Sequence, residues 1–302
     1  MQTILITGGS GLIGKALTKL LVQKGYRVNI LSRKKSDLKN TYYWNVKQGI
    51  IEEEAIATAD CIIHLAGENV ADKRWTQQRK KSLLNSRVLP TRLLLKKVAA
   101  HNPNLKSFIA ASAVGYYGTS CQDSVKIEES SPGNDFLARI CVDWEKEVLK
   151  FKPITKVTIL RIGVVLSSEG GAYAEISKPI KHGFGAVLGS GNQSIPWIHI
   201  KDLCNLFAYA VKNPNIEGIY NAVASEQIDN RKLTQAIAAV IGKKIRLPKV
   251  PSFVLKLIFG ERSVILLKGC AVSSKKIQNA GFEFGFETIK EAVKEIEVDK
   301  RA

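Results

Sequence analysis

Near the start of the chain, Thr7-Gly8-Gly9-Ser10-Gly11-Leu12-Ile13-Gly14 satisfies two spacings at once, G-x-G-x-x-G through Gly9, Gly11 and Gly14 and G-x-x-G-x-x-G through Gly8, Gly11 and Gly14. Glycines so placed permit a tight turn and let a pyrophosphate approach the backbone N–H groups of a helix N-terminus. The partly positive helix end then meets a doubly negative group, and Ser10, Leu12 and Ile13 belong to the same cradle. A second group with chemistry lies about 20 residues on, where a dinucleotide site for NAD puts a carboxylate against the ribose 2′-hydroxyl. Here the stretch is Leu31-Ser32-Arg33-Lys34-Lys35, and no carboxylate precedes Asp37. A hydroxyl at Ser32 beside the Arg33 guanidinium suits a 2′-phosphate, so NADP(H) is expected over NAD(H). The other reading of Arg33 is a solvated cation at a strand end.

These groups need a strand, a turn and a helix to hold them. Thr3-Ile4-Leu5-Ile6-Thr7 is a β-rich run, and after it Leu12, Ile13, Ala16, Leu17, Leu20 and Leu21 recur at helical spacing up to Gly25. Further strands are expected at 27–31, 60–65, 108–111, 157–160 and 218–221, with helices at 76–100, 134–150 and 201–212. Strands alternating with helices imply an α/β fold with a Rossmann-type, doubly wound parallel sheet. Between about 166 and 202 the texture turns to glycine-rich loops, Gly170-Gly171, Gly183-Phe184-Gly185 and Gly189-Ser190-Gly191, expected over the carboxyl edge of the sheet. The expected division is a cofactor-binding domain at 1–225, carrying that insertion, and a small, mostly helical C-terminal substrate or cap region at 226–302.

Composition narrows the function classes. The chain has 302 residues, 45% hydrophobic and 24% charged, which is enough to bury a sizeable core. No apolar run is long enough to span a membrane, and no basic leader opens the chain, so the cytosol is the expected address and no membrane partner is indicated. The net charge of +18 comes as small basic groups without interleaved aromatics, which argues against nucleic acid and for a solvated surface or an anionic small molecule. Five cysteines and four histidines are scattered singly, supporting neither a disulfide framework nor a metal site.

With its phosphate loop at the N-terminus, the chain resembles the extended short-chain dehydrogenases/reductases, the superfamily of the nucleotide-sugar epimerases. His64-Leu65-Ala66-Gly67-Glu68-Asn69 is similar to its fourth-strand signature, Ser112 through Tyr116-Tyr117-Gly118 to its serine segment, and Pro196-Trp197-Ile198-His199-Ile200-Lys201-Asp202 to its late substrate-domain motif. Arg74-Trp75, Trp144-Glu145, Gly170-Gly171 and Gly281-Phe282-Glu283-Phe284 add a likeness to the atypical "epimerase family" subgroup. The resemblance implies that Leu65, Ala66 and Gly67 line the cofactor, and that Ser82, Arg87 and Val165 contact it. For Leu65, Ala66 and Val165, core packing is compatible with that role; for Ser82 and Arg87 the alternative is a plain helix surface.

The catalytic pattern departs from the family. Those enzymes place Tyr-x-x-x-Lys one helical turn apart, because a phenol of pKa about 10 needs a nearby ammonium to act near neutral pH. The match at Tyr43 and Lys47 lies in the wrong part of the fold, and anchoring on Trp144-Glu145 puts Leu137 and Cys141 at the two positions. Lys146, five residues beyond, points roughly 140° off that face. Ser112 is left to orient a carbonyl or hydroxyl oxygen and Tyr116 to supply the proton. Tyr117 is an alternative for the pocket, and aromatic packing is the other reading of both tyrosines. Glu68, Asn69, Lys73, Arg74, Trp75, Trp197 and His199 are candidate contacts to a polar or anionic substrate, with His199 equally readable as a buried structural histidine. Two functions stay open. One is an NADP(H)-dependent oxidoreductase or epimerase on a nucleotide-sugar-like or other polar carbonyl or hydroxyl substrate. The other is a catalytically weak NADP(H)-binding regulator acting through a protein partner, as a cell-division-inhibitor label on some relatives suggests.

Overall fold

The computed structural model describes residues 1–36, 38–119, 124–213 and 215–300. Its strands are β1 (Thr3–Thr7), β2 (Arg27–Ser32), β3 (Thr41–Asn45), β4 (Ile50–Ile51), β5 (Cys61–His64), β6 (Ser107–Ala113), β7 (Lys156–Ile162), β8 (Val164–Ser167), β9 (Gly170–Gly171), β10 (Trp197–His199) and β11 (Gly218–Ala222). The helices are α1 (Leu12–Gln23), α2 (Glu53–Ala57), α3 (Gln77–His101), α4 (Phe136–Leu149), α5 (Ala172–Lys181), α6 (Ile200–Lys212), α7 (Asn230–Ile241), α8 (Ser252–Phe259), α9 (Val264–Leu267), α10 (Lys275–Asn279) and α11 (Ile289–Asp299).

Eight strands form one sheet in the order β11-β7-β6-β5-β1-β2-β3-β4, parallel except at the edge pair β3–β4. The strands buried on both faces are continuous apolar runs, as a parallel sheet covered by helices requires. Chain order reverses at β1, which pairs with β2 on one side and β5 on the other. At that switch point Thr7 is in register with both Leu31 and His64, so the carboxyl ends of three strands open on one crevice. Several helices are fixed at their start by side chains that satisfy the free N–H groups of the first turn: Thr76 accepts from Arg79 N, Asp135 from Ala138 N and Asp229 from Lys232 N. Helix α11 opens with a full capping box between Thr288 and Glu291.

The stretch read as glycine-rich loops is more ordered than its composition suggests. It holds β8, β9, α5 and β10, and β10-β8-β9 form a second, three-stranded sheet. Its core joins Leu166, Tyr173 and Trp197 from this stretch to Leu233, Ile237, Val293 and Ile296 from beyond residue 226. A further correction concerns the cysteines. Cys61, Cys141 and Cys204 are buried free thiols, whereas Cys270 is disulfide-bonded, which sequence spacing could not show because bonded cysteines need only meet in space; Cys121 lies outside the described residues. Among the described residues no helix is long and apolar enough to cross a membrane.

Candidate dinucleotide and catalytic site

The glycine cradle stands at the amino end of α1. Gly8 adopts φ +73°, and a Cβ there would lie 3.0 Å from the Leu65 carbonyl. A Cβ on Gly14 would fall 2.3 Å from the Gly8 oxygen, so only glycine lets α1 pack this close to the loop. The turn closes through Gly11 N donating to Gly8 O at 3.0 Å. Gly11 caps α1 without a side-chain bond and the first turn carries no acidic residue, leaving its N–H groups and dipole to an anion. Ser10 and Gly11 are exposed, while Leu12 and Ile13 are half-buried. Gly171, at φ +71°, sits against Leu12, which brings the Gly170-Gly171 turn over the cradle. At the end of β2 Ser32 Oγ makes a tight turn with Lys34, donating to its oxygen at 2.8 Å, and Arg33 is exposed.

The crevice wall is held by His64, a residue the sequence left unassigned. Thr7 Oγ1 accepts from Leu65 N at 3.1 Å and Ala66 N at 3.2 Å, so its own proton goes to His64 Nδ1 at 2.7 Å. On the other side Thr91 Oγ1 donates to Arg87 O and accepts from His64 Nε2 at 3.0 Å. The imidazole is therefore neutral with its proton on Nε2, and burial pushes its pKa down to about 3. This relay sets the backbone of Leu65 and Ala66, which with Gly67 form the segment implied to line the cofactor. Val165 is half-buried in β8.

The loop after β5 is tied to α3. Glu68 pairs with Arg79 and accepts from Ser82 Oγ at 2.9 Å, while Arg87 donates to Leu83 O and Glu68 O at 3.0 Å each. Arg87 also lies over the Trp144 ring at 5.3 Å, and its guanidinium would be 3.2 Å from a Cβ on Gly67. Ser82 and Arg87 thus brace the Gly67-Glu68 turn. Asn69 closes a local turn with Ala71 N and Asp72, and Trp75 donates to Val70 O and packs edge-on to Phe136. Lys73 and Arg74 are exposed, with Arg74 beside Gly260.

Below the turn at 114–117 lies a buried polar network. Ser112 Oγ donates to Glu145 Oε1 at 2.6 Å. Arg161, 1% exposed, meets the same carboxylate through Nε at 2.9 Å and Nη2 at 2.8 Å. Its Nη1 donates to Tyr117 Oη and Glu128 O at 3.0 Å, and Tyr117 Oη donates to Asn221 Oδ1 at 2.7 Å. Burial opposes a charge on Arg161, but the paired Glu145 outweighs it and holds the guanidinium protonated. Burial also pushes the Tyr117 phenol up to about 12 against the pull of Arg161. Tyr116 is half-buried, and the Arg161 guanidinium stacks on its face at 3.4 Å. Leu137 and Cys141 pack under Gly115, and burial raises the Cys141 thiol to about 12.

The structure thus brings together the cradle, Ser32-Arg33, the Leu65–Gly67 wall and the Ser112–Tyr117 segment along one sheet edge. Tyr117 lies inside the protein, so of the two tyrosines only Tyr116 keeps an exposed part. Trp197 and His199 flank Ile198, which is in register with Val165. Both are fully buried, Trp197 donating to Glu226 O and His199 capping α6 through Lys201 N against the Phe286 ring. Neither Trp197 nor His199 reaches solvent, and His199 has the surroundings that its reading as a buried structural histidine describes. Arg161 and Glu145 were missed as site residues. The signal was present at Arg161, a guanidinium closing the apolar run Val157-Thr158-Ile159-Leu160, which when buried must be paired. Among the described residues no group of His, Cys, Asp and Glu side chains is gathered that could hold a metal ion.

Residues 4–222 match the NAD dependent epimerase/dehydratase family, and residues 250–296 match a domain of unknown function, DUF1731. The chain belongs to that epimerase/dehydratase family. Among its relatives, the mouse epimerase family protein SDR39U1 is 34% identical over 97% of this chain and 99% of its own length, and the Bacillus subtilis epimerase family protein YfhF is 33% identical over 99% of each. The crystal structure of human SDR39U1 (isoform 2) with NADPH superposes with a TM-score of 0.90 at 31% identity, covering 99% of this chain and 100% of that one. A UDP-N-acetylglucosamine 4-epimerase from Bacillus cereus shares the fold alone, at a TM-score of 0.78 and 18% identity.

Proposed function

We propose that this chain binds NADP(H) and acts as an oxidoreductase or epimerase on a small polar carbonyl or hydroxyl compound, with Tyr116 supplying the proton. The observation that carries it is the bare amino end of α1 behind Gly8, Gly11 and Gly14, opening on the switch point between β1 and β5. Such a cradle fits a pyrophosphate, and the exposed Arg33 beside Ser32, without a carboxylate there, fits a 2′-phosphate. The human relative crystallised with NADPH supports the same choice. The nicotinamide supplies the hydride when bound. The chain's own part is to orient and to protonate. Ser112 and Tyr117 spend their hydroxyl protons on Glu145 and Asn221, so the half-buried Tyr116, held by the face of Arg161, is the donor. The loop after β5, with Glu68, Asn69, Arg74 and Trp75, is the substrate side of the site; Glu68, Asn69 and Trp75 hold its turn, and the exposed Arg74 is the side chain that meets an anionic group.

A second reading is favoured by Leu137 and Cys141, which fill the place of the usual tyrosine and lysine: a cofactor-binding regulator without turnover. One experiment separates them. The protein with NADPH is mixed with a deproteinised small-molecule extract, and the reduced-nicotinamide absorbance is followed beside Tyr116→Phe. Oxidation by the parent that Tyr116→Phe loses supports the reductase. Oxidation unchanged in Tyr116→Phe removes the tyrosine from the reaction. A flat trace from both, with NADPH bound, leaves a redox-neutral epimerase or the regulator. Equal affinity for NADPH and NADH in parallel titrations would sink the cofactor assignment.

A further inference from the structure

We infer that the segment from the end of α7 through α9 docks the protein on an anionic lipid surface, without crossing it. Between Lys243 and Lys268 stand seven basic residues and one acidic residue, Glu261, which is already paired with Lys80 at 2.6 Å. The same segment exposes apolar side chains that the core does not need. On α8 Phe253 is 71% exposed, Leu257 78% and Ile258 58%, while Leu255 is buried.

Helical geometry puts Phe253 and Leu257 on one side, with Ile258 at its margin. At about 100° per residue, Leu257 lies about 40° and Ile258 about 140° from Phe253, with Leu255 about 200° round on the side packed against the protein. With most of their surface in solvent, these side chains offer themselves to a fluid phase more readily than to a shaped pocket. The chain leading into α8 adds to the same patch. Leu247 is exposed there, and the run pairs along the 185–189 loop through Leu188 and Val250, with Ile245 against Gly185. That loop in turn exposes Phe184, at 70%.

Charge identifies the occupant. Lys243, Lys244, Arg246, Lys256 and Lys268 are exposed, and none has an ion-pair partner among the described residues. Long basic side chains around exposed apolar ones are the composition of an interfacial element, in which apolar residues enter the headgroup boundary and each cation near the surface adds attraction. A second copy of this chain would bring the same excess of positive charge and repel it. A membrane span needs a long apolar run, whereas surface docking needs only a short apolar face with cations beside it.

The test is co-sedimentation with vesicles of phosphatidylcholine carrying about one-third phosphatidylglycerol, beside pure phosphatidylcholine. The expected result is binding to the anionic vesicles only, falling steeply between about 0.1 M and about 0.5 M salt. The double variant Phe253→Ser, Leu257→Ser is expected to bind at least about tenfold more weakly with NADPH affinity unchanged, its altered side chains lying mostly in solvent. Lys243→Glu with Arg246→Glu is expected to do the same, and Lys47→Glu, on another part of the surface, to leave binding intact. No binding to anionic vesicles, equal binding to the zwitterionic ones, or full binding by the double serine variant would each overturn the inference. So would self-association of the free protein that the double serine variant abolishes, which would assign these side chains to a second copy.

Discussion

Glu145 of α4 and Arg161 of β7 meet through two parallel contacts of 2.9 and 2.8 Å in a setting from which water is excluded, and the pair carries Ser112 on one side and Tyr117 on the other. The floor beneath the turn at 114–117 is therefore an ion pair rather than an apolar layer. Removing one partner leaves an uncompensated charge, which costs far more than the pair itself contributes.

Glu145→Gln is accordingly expected to lower unfolding stability by about 3–5 kcal/mol in urea titrations. Glu145→Leu combined with Arg161→Met is expected to recover most of that loss. A double variant as unstable as Glu145→Gln would mean that Arg161 is held mainly by Tyr117 and the Glu128 carbonyl.

The two tyrosines of the turn should part company. Tyr117→Phe takes a partner from Asn221 Oδ1 and from one N–H of Arg161 and is expected to cost about 1–3 kcal/mol. Tyr116→Phe is expected to leave thermal stability within about 0.5 kcal/mol while removing any protein-dependent NADPH oxidation. Thermal melts and the absorbance assay, run on both variants, read the two effects separately.

Acid should weaken the fold through His64 and His199. Both are buried neutral, with pKa values pushed from 6.5 down to about 3 and about 4. Below about 6.5 the unfolded chain takes up protons that these folded imidazoles refuse, so the unfolded state binds more protons and stability falls as pH falls toward those lower values. The expected slope is at most about 1.4 kcal/mol per pH unit for each histidine. His199→Asn keeps a residue able to cap α6, so a flatter profile in that variant, measured by urea midpoints, isolates its share.

Arg33→Ala is expected to weaken NADPH by about tenfold or more, the worth of a charge-assisted hydrogen bond, and to leave NADH within about twofold. Calorimetric titrations with both cofactors check it. An equal loss for the two would return Arg33 to the status of a solvated cation.

Gly14→Ala tests the cradle sterically. Its new Cβ would meet backbone at 2.3 Å, whereas the Cβ of Gly9→Ala would meet chiefly the Ile30 side chain at 2.7 Å, which can move. Gly14→Ala is therefore expected to lose cofactor binding and at least about 2 kcal/mol, and Gly9→Ala less of both.

What the sequence disclosed and what it withheld follow from the range of each signal. Gly8, Gly11 and Gly14 act within one turn, so their spacing announces the cradle, and alternating apolar runs announce the sheet. His64 looked isolated because its partners lie 57 and 27 positions away. Glu145 was visible as part of a motif, but its role is created by Arg161, 16 positions on in another element. Trp197 and His199 stand in a motif suggestive of substrate contact, yet on β10, an edge strand of the small sheet, both side chains are fully buried, which the motif does not announce. The β3–β4 hairpin and α2 went unannounced, since short elements between stronger ones leave little periodicity.

The shared packing of Tyr173 and Trp197 with Leu233, Ile237 and Val293 bears on how such chains can be recombined. A chimera cut at residue 225 would give each parent's insertion a foreign complement and break that cluster at its middle. Grafts that exchange 166–202 together with 226–302 should keep it whole. Substrate preference, if it resides in these parts, is then inherited as a matched pair of segments separated along the gene, and exchanging either one alone confounds altered specificity with damaged packing.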